Sequence, residues 1–278
     1  MRTQLEKAET FRALHLRRGL FVMPNPWDAG SAKLLACLGF EALATTSLGL
    51  AAALGRVDGT LAISRDELIA NCGAIAEATD LPVNADLENG YSDEPEEAAG
   101  ILRLAAEAGI VGGSIEDATG RAEAPIYDFG LAVERVAAAA HTARSLPFPF
   151  TLTARADNFL HGRRDLADTI ARLNAFAEAG ADVLYAPGLY DIETIRTVAR
   201  EVSRPLNVVM SSADPGLRMA QLEDAGVKRV SVGGALARLA LAAVRDAALA
   251  MREHGSFEWM RTTMPGAELK KIFGNQRY

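Results

Sequence analysis

Residues 83–91 read Val-Asn-Ala-Asp-Leu-Glu-Asn-Gly-Tyr, an apolar strand that ends in two acidic residues and a glycine turn. Side chains at positions i and i+2 of a strand lie on the same face. Asn84, Asp86 and Glu88 are therefore predicted to point one way, while the alternate apolar residues pack under a helix. Two carboxylates in such a setting require a cation or a shared proton. A hard divalent metal, Mg²⁺ or Mn²⁺, is the natural partner of these oxygens.

The same strand-then-helix pattern occurs eight times along the chain, as parallel βα units require. The predicted strands are 20–23, 42–47, 82–87, 113–117, 150–156, 182–186, 206–210 and 229–232. Eight such units usually close into a (β/α)8 TIM-type barrel of about 250 residues. An open doubly wound sheet is the alternative, but no strand is followed by the GxGxxG fingerprint. We predict an α/β barrel over residues 1–254 and a C-terminal helical tail over residues 255–278.

Composition excludes several classes of protein. The chain has 278 residues, of which 49% are hydrophobic, and a formal net charge of −7 without long basic runs. These values argue against nucleic acid or an anionic membrane as a partner. Only two cysteines occur, so no disulfide framework is expected. The N-terminus has no signal-peptide core and the longest apolar helix is interrupted by charges, which predicts a soluble cytoplasmic protein without a membrane span.

Polar side chains gather at the predicted strand ends, where barrel enzymes carry their chemistry. The second strand and its loop contribute Thr46, Ser47, Leu48, Gly49 and Asp58; the third, fourth and fifth contribute Asp86, Glu88, Glu116 and Arg155. Carboxylates from three successive units thus converge opposite one arginine, which predicts a metal-centred site for an anionic substrate. Arg155 either contacts that substrate or pairs with Glu116. Asn207 lies early in the seventh strand, lower than a typical top residue.

The predicted strand ends lack lysine and cysteine, which excludes two further kinds of catalysis. No lysine occurs between Lys33 and Lys228, and Lys228 is at the wrong end of its strand for a Schiff base. Cys37 and Cys72 fall inside predicted helices, away from the strand ends. The electrophile is therefore expected to be the metal.

Four segments together resemble the isocitrate lyase/phosphoenolpyruvate mutase superfamily. They are Asp86–Tyr91, Gly113–Asp117, Thr153–Arg155 and Thr45–Leu50, in the order in which the superfamily carries them. The resemblance covers nearly the whole chain and implies a Mg²⁺-dependent barrel. It also implies that paired subunits exchange their last helix, giving a dimer or tetramer in which the apolar tail is buried.

The resemblance assigns a role to each candidate residue. It implies that Asp86 ligates the metal directly and that Asp58, Glu88 and Glu116 hold its waters. The residues implied to bind the small carboxylate substrate are Thr46, Ser47, Leu48, Gly49, Asp86, Arg155 and Asn207, with Arg155, Glu116 and Glu88 as the catalytic set.

The chain departs from the superfamily after the fourth strand. The lyases carry a Lys-Lys-Cys-Gly-His segment there, whereas residues 117–127 contain no Cys, Lys or His. The phosphonomutases use a lysine and an asparagine in this loop and a histidine at the sixth strand; this chain has Arg121 and Tyr185. We expect a lyase or decarboxylase that breaks a C–C bond of a small 2-oxo acid or 2-hydroxy di- or tricarboxylate through a metal-stabilised enolate. A phosphonopyruvate-type P–C enzyme and a 2-oxo acid-binding protein with vestigial catalysis remain alternatives. The general acid is open: a water held by Glu88 or Glu116, or a group on the 117–127 loop.

Overall fold

The computed structural model describes residues 2–210 and 216–274, and it contains eight parallel strands with helices around them. The strands are β1 Phe21–Met23, β2 Leu43–Ala44, β3 Val83–Asp86, β4 Gly112–Glu116, β5 Thr151–Arg155, β6 Val183–Tyr185, β7 Leu206–Val209 and β8 Arg229–Ser231. The (β/α)8 TIM-type barrel predicted from the sequence is confirmed. All eight predicted strands are present, with ends that differ by a few residues.

The sheet runs in the order β1-β8-β7-β6-β5-β4-β3-β2. Between β1 and β2, the circle is completed by two hydrogen bonds rather than by a ladder. The Ala44 N–H donates to the Pro24 carbonyl at 3.0 Å, and the Asn25 side chain donates to the Thr45 carbonyl at 2.9 Å. The carboxyl ends of all the strands therefore meet at one mouth.

The helices cover the outside of the sheet and bury its apolar face. They are α1 Gln4–Leu16, α2 Ala29–Cys37, α3 Ser47–Ala53, α4 Arg65–Glu77, α5 Pro95–Ala99, α6 Ile101–Glu107, α7 Phe129–Arg144, α8 Leu166–Ala179, α9 Ile192–Glu201, α10 Met219–Asp224, α11 Ala235–His254 and α12 Gly266–Phe273. One prediction was wrong in detail: the second strand was expected to continue to residue 47. Instead Ser47 begins α3, because the Thr46 hydroxyl caps the helix by accepting from the Gly49 N–H.

Helix α1 closes the amino-terminal end of the barrel. Phe11 and Leu14 are buried against Phe21 and Met23 of β1. The imidazole of His15 packs edge-on against Phe11 and Phe21, with ring centroids 4.8 and 5.0 Å away. His15 therefore lies inside the bottom of the barrel, where it meets the side chains that point down from the strands.

The carboxyl-terminal part of the chain leaves the barrel along α11. Ala237 is the one buried residue of this 20-residue helix. Helix α12 then returns to contact α2 of the same chain and buries Ile272. Exchange of the last helix between subunits stays a prediction, as does the division into domains at residue 254; residues 275–278 of the predicted tail lie outside the described residues. No helix in the described part of the chain is long and apolar enough to cross a membrane.

Candidate active site

The loop after β3 brings two carboxylates to the mouth of the barrel. Asp86 is the last residue of β3, and the chain then turns through left-handed backbone conformations at Glu88 (φ 53°), Gly90 (φ 78°) and Tyr91 (φ 62°). The strand alternation used in the prediction therefore ends at Asp86. Glu88 is held instead through its carbonyl, which accepts from the Glu116 N–H at 3.1 Å. Left-handed backbone at non-glycine residues costs about 1–3 kcal/mol each and is typically retained at functional sites.

The start of α3 faces these carboxylates. The Ser47 N–H and hydroxyl lie 3.2 and 3.1 Å from Oδ2 of Asp86. Burial raises the pKa values of the nearby Asp58 and Glu88, and the Ser47 side chain opposes both shifts. A glycine is required at position 49, because an added Cβ would lie 2.6 Å from the Thr46 methyl group and 2.7 Å from Cβ of Trp27. The segment 46–49 thus lies where the sequence placed it, but as a helix N-terminus.

Arg155, the last residue of β5, sits in the middle of an acidic group. Its guanidinium lies 3.0 Å from Asp86, 2.8 Å from Glu116 and 2.8 Å from Asp157. The side chain is only 11% exposed, and the carboxylates around it raise its pKa further above the usual range despite burial. Of the two roles left open for Arg155, the structure shows pairing with Glu116, and it adds Asp86 and Asp157.

One guanidinium does not balance the negative charge at this mouth. Burial and repulsion from Asp86 and Asp58 raise the pKa of Glu88 to about 8. Burial raises the pKa of Glu116 well above its usual value, although Arg155 opposes the shift. The pKa of Asp58, at the exposed rim, is raised by desolvation and by Asp86. Carboxylate pKa values raised in this way indicate a site where an added cation would be favourable.

The donor set fits a hard divalent cation, since it consists of carboxylate and hydroxyl oxygens. Within the described residues, no three His, Cys, Asp or Glu side chains are grouped closely enough to hold a metal directly. Mg²⁺ usually keeps several waters and takes only one or two carboxylates. The arrangement therefore fits a cation on Asp86 whose waters are held by Asp58, Glu88 and Glu116, as the resemblance implies, and these roles stay predictions.

A cavity of about 50 Å³ lies below the carboxylates, inside the barrel. Its walls are formed by Met23, Asn25, Ala44, Thr45, Asn84, Asp86, Ser114, Arg155, Tyr185, Asn207, Arg229, Ser231 and Gly233. Asn207 was predicted as a substrate contact and does line this cavity, one level below the mouth. Its side chain is fixed, because Nδ2 donates to the Ser231 hydroxyl at 3.1 Å and Oδ1 accepts from Arg229 at 2.8 Å.

The side chains of Leu48 and Asp117 contact other parts of the protein. The Leu48 side chain packs against Gly234 at the start of α11. Asp117 is buried, pairs with Arg172 at 3.0 Å and accepts from the Asp157 N–H at 2.7 Å. Burial and Asp157 raise the pKa of Asp117 to about 7. Asp117 therefore positions the Asp157 that holds Arg155.

Sequence reasoning missed the second arginine of the cavity. Arg229 opens β8 and is 1% exposed. The sequence did contain a signal for it. Arg229 stands two positions before Ser231 in a short apolar strand, and side chains at positions i and i+2 of a strand lie on the same face. The role of Asn25 was not foreseen either: its Oδ1 accepts from the Val232 and Gly233 N–H groups at 2.9 Å and ties β8 to β1.

Comparison with known proteins places this geometry among related barrels. The profile of the phosphoenolpyruvate phosphomutase family matches residues 11–252. A Burkholderia cenocepacia J2315 crystal structure with the provisional label lyase/mutase is 56% identical, with a TM-score of 0.95 over 99% of this chain and 98% of that one. An uncharacterized Mycobacterium tuberculosis protein is 33% identical over 94% of this chain and 95% of its own length. An oxaloacetate decarboxylase of Paraburkholderia xenovorans is 31% identical over 83% of this chain and 77% of its own.

Proposed function

Because the chain belongs to the isocitrate lyase/phosphoenolpyruvate mutase superfamily, we propose that it is a Mg²⁺-dependent lyase or decarboxylase that breaks a C–C bond of a small 2-oxo acid or 2-hydroxy di- or tricarboxylate. The observation that carries the proposal is the group of carboxylates around Arg155 at the ends of β3, β4 and β5. The relatives named lyases and oxaloacetate decarboxylases support this reaction class.

In this proposal Asp86 holds the cation, and Asp58, Glu88 and Glu116 hold its waters. A bound Mg²⁺ would supply a Lewis acid for the negative charge that develops on the 2-oxo oxygen when the C–C bond breaks. Mn²⁺ would serve the same donor set.

The protein orients the substrate from two sides of the mouth. Backbone N–H groups of Ser47, Leu48 and Gly49 bind one carboxylate, which requires the Ser47 N–H to leave Asp86 and the Gly49 N–H to leave the Thr46 hydroxyl. Arg155 binds a second oxygen group by its planar fork. Three carboxylates already occupy four of the five N–H donors of Arg155, so a two-bond contact with substrate requires one of these ion pairs to open.

The proton that completes the reaction comes from Glu88 or from a water that it holds. In the metal-free protein, burial and repulsion from Asp86 and Asp58 raise the pKa of Glu88 to about 8. The loop 117–127 supplies no thiol, amine or imidazole for this purpose.

The test is a substrate panel with purified protein and Mg²⁺. Oxaloacetate, isocitrate, methylisocitrate and phosphonopyruvate are offered while pyruvate, glyoxylate and phosphate are followed. Pyruvate or glyoxylate formation that stops with EDTA supports the proposal, and phosphonopyruvate conversion alone would replace it with P–C chemistry. Calorimetric binding of oxalate without turnover of any substrate would favour a 2-oxo acid-binding protein.

We also propose that copies of this chain associate through α11. Leu239, Leu241 and Val244 are 67%, 51% and 66% exposed on this helix, and contact with a second copy would remove their apolar surface from water. Light scattering should give a dimer or tetramer of the 29.5 kDa chain, and Val244→Glu should reduce the mass. A monomeric wild type would contradict the proposal.

A further inference from the structure

Arg229 is a buried cation surrounded by neutral groups. Its Nε donates to Oδ1 of Asn207 at 2.8 Å, and Nη2 donates to the Thr153 hydroxyl at 3.0 Å. Nη1 lies 3.2 Å from Nε2 of His15. Among residues 2–210 and 216–274, no Asp or Glu forms an ion pair with it, and burial lowers the pKa of Arg229 to about 9.

His15 does not offset this charge. Its Nδ1 lies 2.8 Å from the Phe11 carbonyl, which must accept, so Nδ1 carries the hydrogen and Nε2 accepts from Arg229. Burial and Arg229 lower the pKa of His15 to about 3. The imidazole is therefore neutral and contributes a lone pair only.

Burying an unpaired charge is costly, and proteins normally pair it. Arg135 is equally buried, but its guanidinium is surrounded by backbone carbonyls and has Asp93 and Asp117 as acidic neighbours. Arg229 has no such neighbours. Its charge is free to act on whatever enters the space beside it.

That space is the cavity below the carboxylates. Arg229 lines it together with Asp86 and Arg155. Strand register places Arg155, Tyr185, Asn207 and Arg229 opposite one another on β5 to β8. A guanidinium has five N–H donors, and the three acceptors named above leave two of them for a ligand.

The size of the cavity limits what reaches Arg229. A single water needs about 10–15 Å³ of such volume, so about 50 Å³ admits a carboxylate-sized group but not a whole substrate. Because Asp86 and Arg155 line the same cavity, the rest of the ligand must extend past them toward the mouth.

We propose that Arg229 binds the far carboxylate of the substrate at the floor of the barrel, and so selects acids with a second carboxylate over 2-oxo monocarboxylates. This inference rests on the proposed function, because it takes the ligand to be the substrate of that reaction. In this arrangement Arg229 distinguishes acids with a far carboxylate from acids without one. Arg155 and the carboxylates around it form the cation site.

The test compares malate with 2-hydroxybutyrate, which has a methyl group in place of the far carboxylate. Calorimetry in the presence of Mg²⁺ should show that wild type binds malate at least about tenfold more tightly, as a charged hydrogen bond contributes. Arg229→Met should remove most of this preference, and Arg229→Lys should retain part of it because the charge remains. Lys7→Met removes another buried cation, one that donates to the Ala76 and Thr79 carbonyls away from the cavity, and should leave the preference unchanged.

The outcomes separate the two proposals. Equal affinity of wild type for the two acids overturns the role of Arg229, whatever the substrate panel shows. A clear malate preference that Arg229 variants abolish, without turnover of any panel substrate, supports this inference while the proposed reaction fails. If Arg229→Met does not fold, the proposal is tested by the malate preference of the wild type and by its partial loss in Arg229→Lys. Bromide is added as a competitor of both acids. If it weakens the binding of malate and of 2-hydroxybutyrate equally, and wild type shows no malate preference, the cavity binds an inorganic anion and the proposal is overturned.

Discussion

The nearly buried Arg155 and the fully buried Arg229 line one cavity, and their surroundings are opposite. Arg155 is paired with Asp86, Glu116 and Asp157, whereas Arg229 is bonded to an asparagine, a threonine and a neutral histidine. Burial alone therefore does not identify the anion-binding residue. The arginine whose charge is already balanced supports a cation site, and the one whose charge is unbalanced remains available to an anion.

Removing the paired arginine should have the largest effect. Arg155→Met leaves several buried carboxylates without a counter-charge, which typically costs about 3–5 kcal/mol. Urea unfolding should show this loss, and Mg²⁺ should restore part of it because the cation takes over the role of Arg155. Glu123→Met on the exposed loop is the control for a charge change. A loss below about 1 kcal/mol would mean that the ion pairs are of the weak surface kind.

Removing the carboxylate shared by the cation site and Arg155 should act mainly on metal affinity. Asp86→Asn keeps the shape but not the charge. Loss of an outer partner of a metal ligand already costs about 10–100-fold, so Mg²⁺ affinity and turnover should fall by at least that factor. Asp66→Asn, at an exposed position of α4, should change neither. Unchanged Mg²⁺ affinity measured by calorimetry would exclude Asp86 as a ligand.

Removing the unpaired arginine should cost less stability than removing Arg155. Arg229→Met abolishes the burial of a lone charge but leaves acceptors on His15, Thr153 and Asn207 without a donor, for a net loss of about 1–3 kcal/mol. Urea unfolding of the two Met variants side by side measures the difference. An Arg229→Met loss equal to that of Arg155→Met would show that the two environments are alike in energy.

The stability of the folded protein should depend on pH with opposite signs near the two arginines. Near Arg155, Glu88 and Asp117 have folded pKa values of about 8 and 7, above their ordinary values. The folded state therefore binds more protons than the unfolded state between about pH 5 and 8, and stability falls as pH rises through this window. The metal-free protein should lose a few degrees of Tm from pH 6 to 8, and Mg²⁺ should reduce the loss. A flat profile would contradict the raised pKa values.

Near Arg229 the effect is the reverse. The folded pKa of His15 is about 3, below its ordinary value of 6.5, so the unfolded state binds the extra proton and stability is lost as pH falls below about 6.5. His15→Gln should flatten the acid side of the Tm profile. The same slope in wild type and variant would assign acid unfolding to other groups.

Much of the fold and part of the site could be predicted from local sequence. The eight strands and the carboxylates after β3 and β4 are visible because strand periodicity and glycine-closed helices are short-range patterns. The end of β2 was misjudged, because the Thr46 cap outweighed the apolar run that continues past it. The roles of Asp157 and Tyr185 could not be predicted, because neither motif nor spacing states which side chains they meet.

A barrel with an acidic mouth could be predicted from the order of residues, because both follow from short-range patterns repeated along the chain. How the charges are shared depends on the folded molecule. Arg155 and Asp86 are 69 residues apart, and Arg229 and His15 are 214 apart. Charge balance in a buried site depends on distance in space and on exclusion of water, and neither can be read from the order of residues.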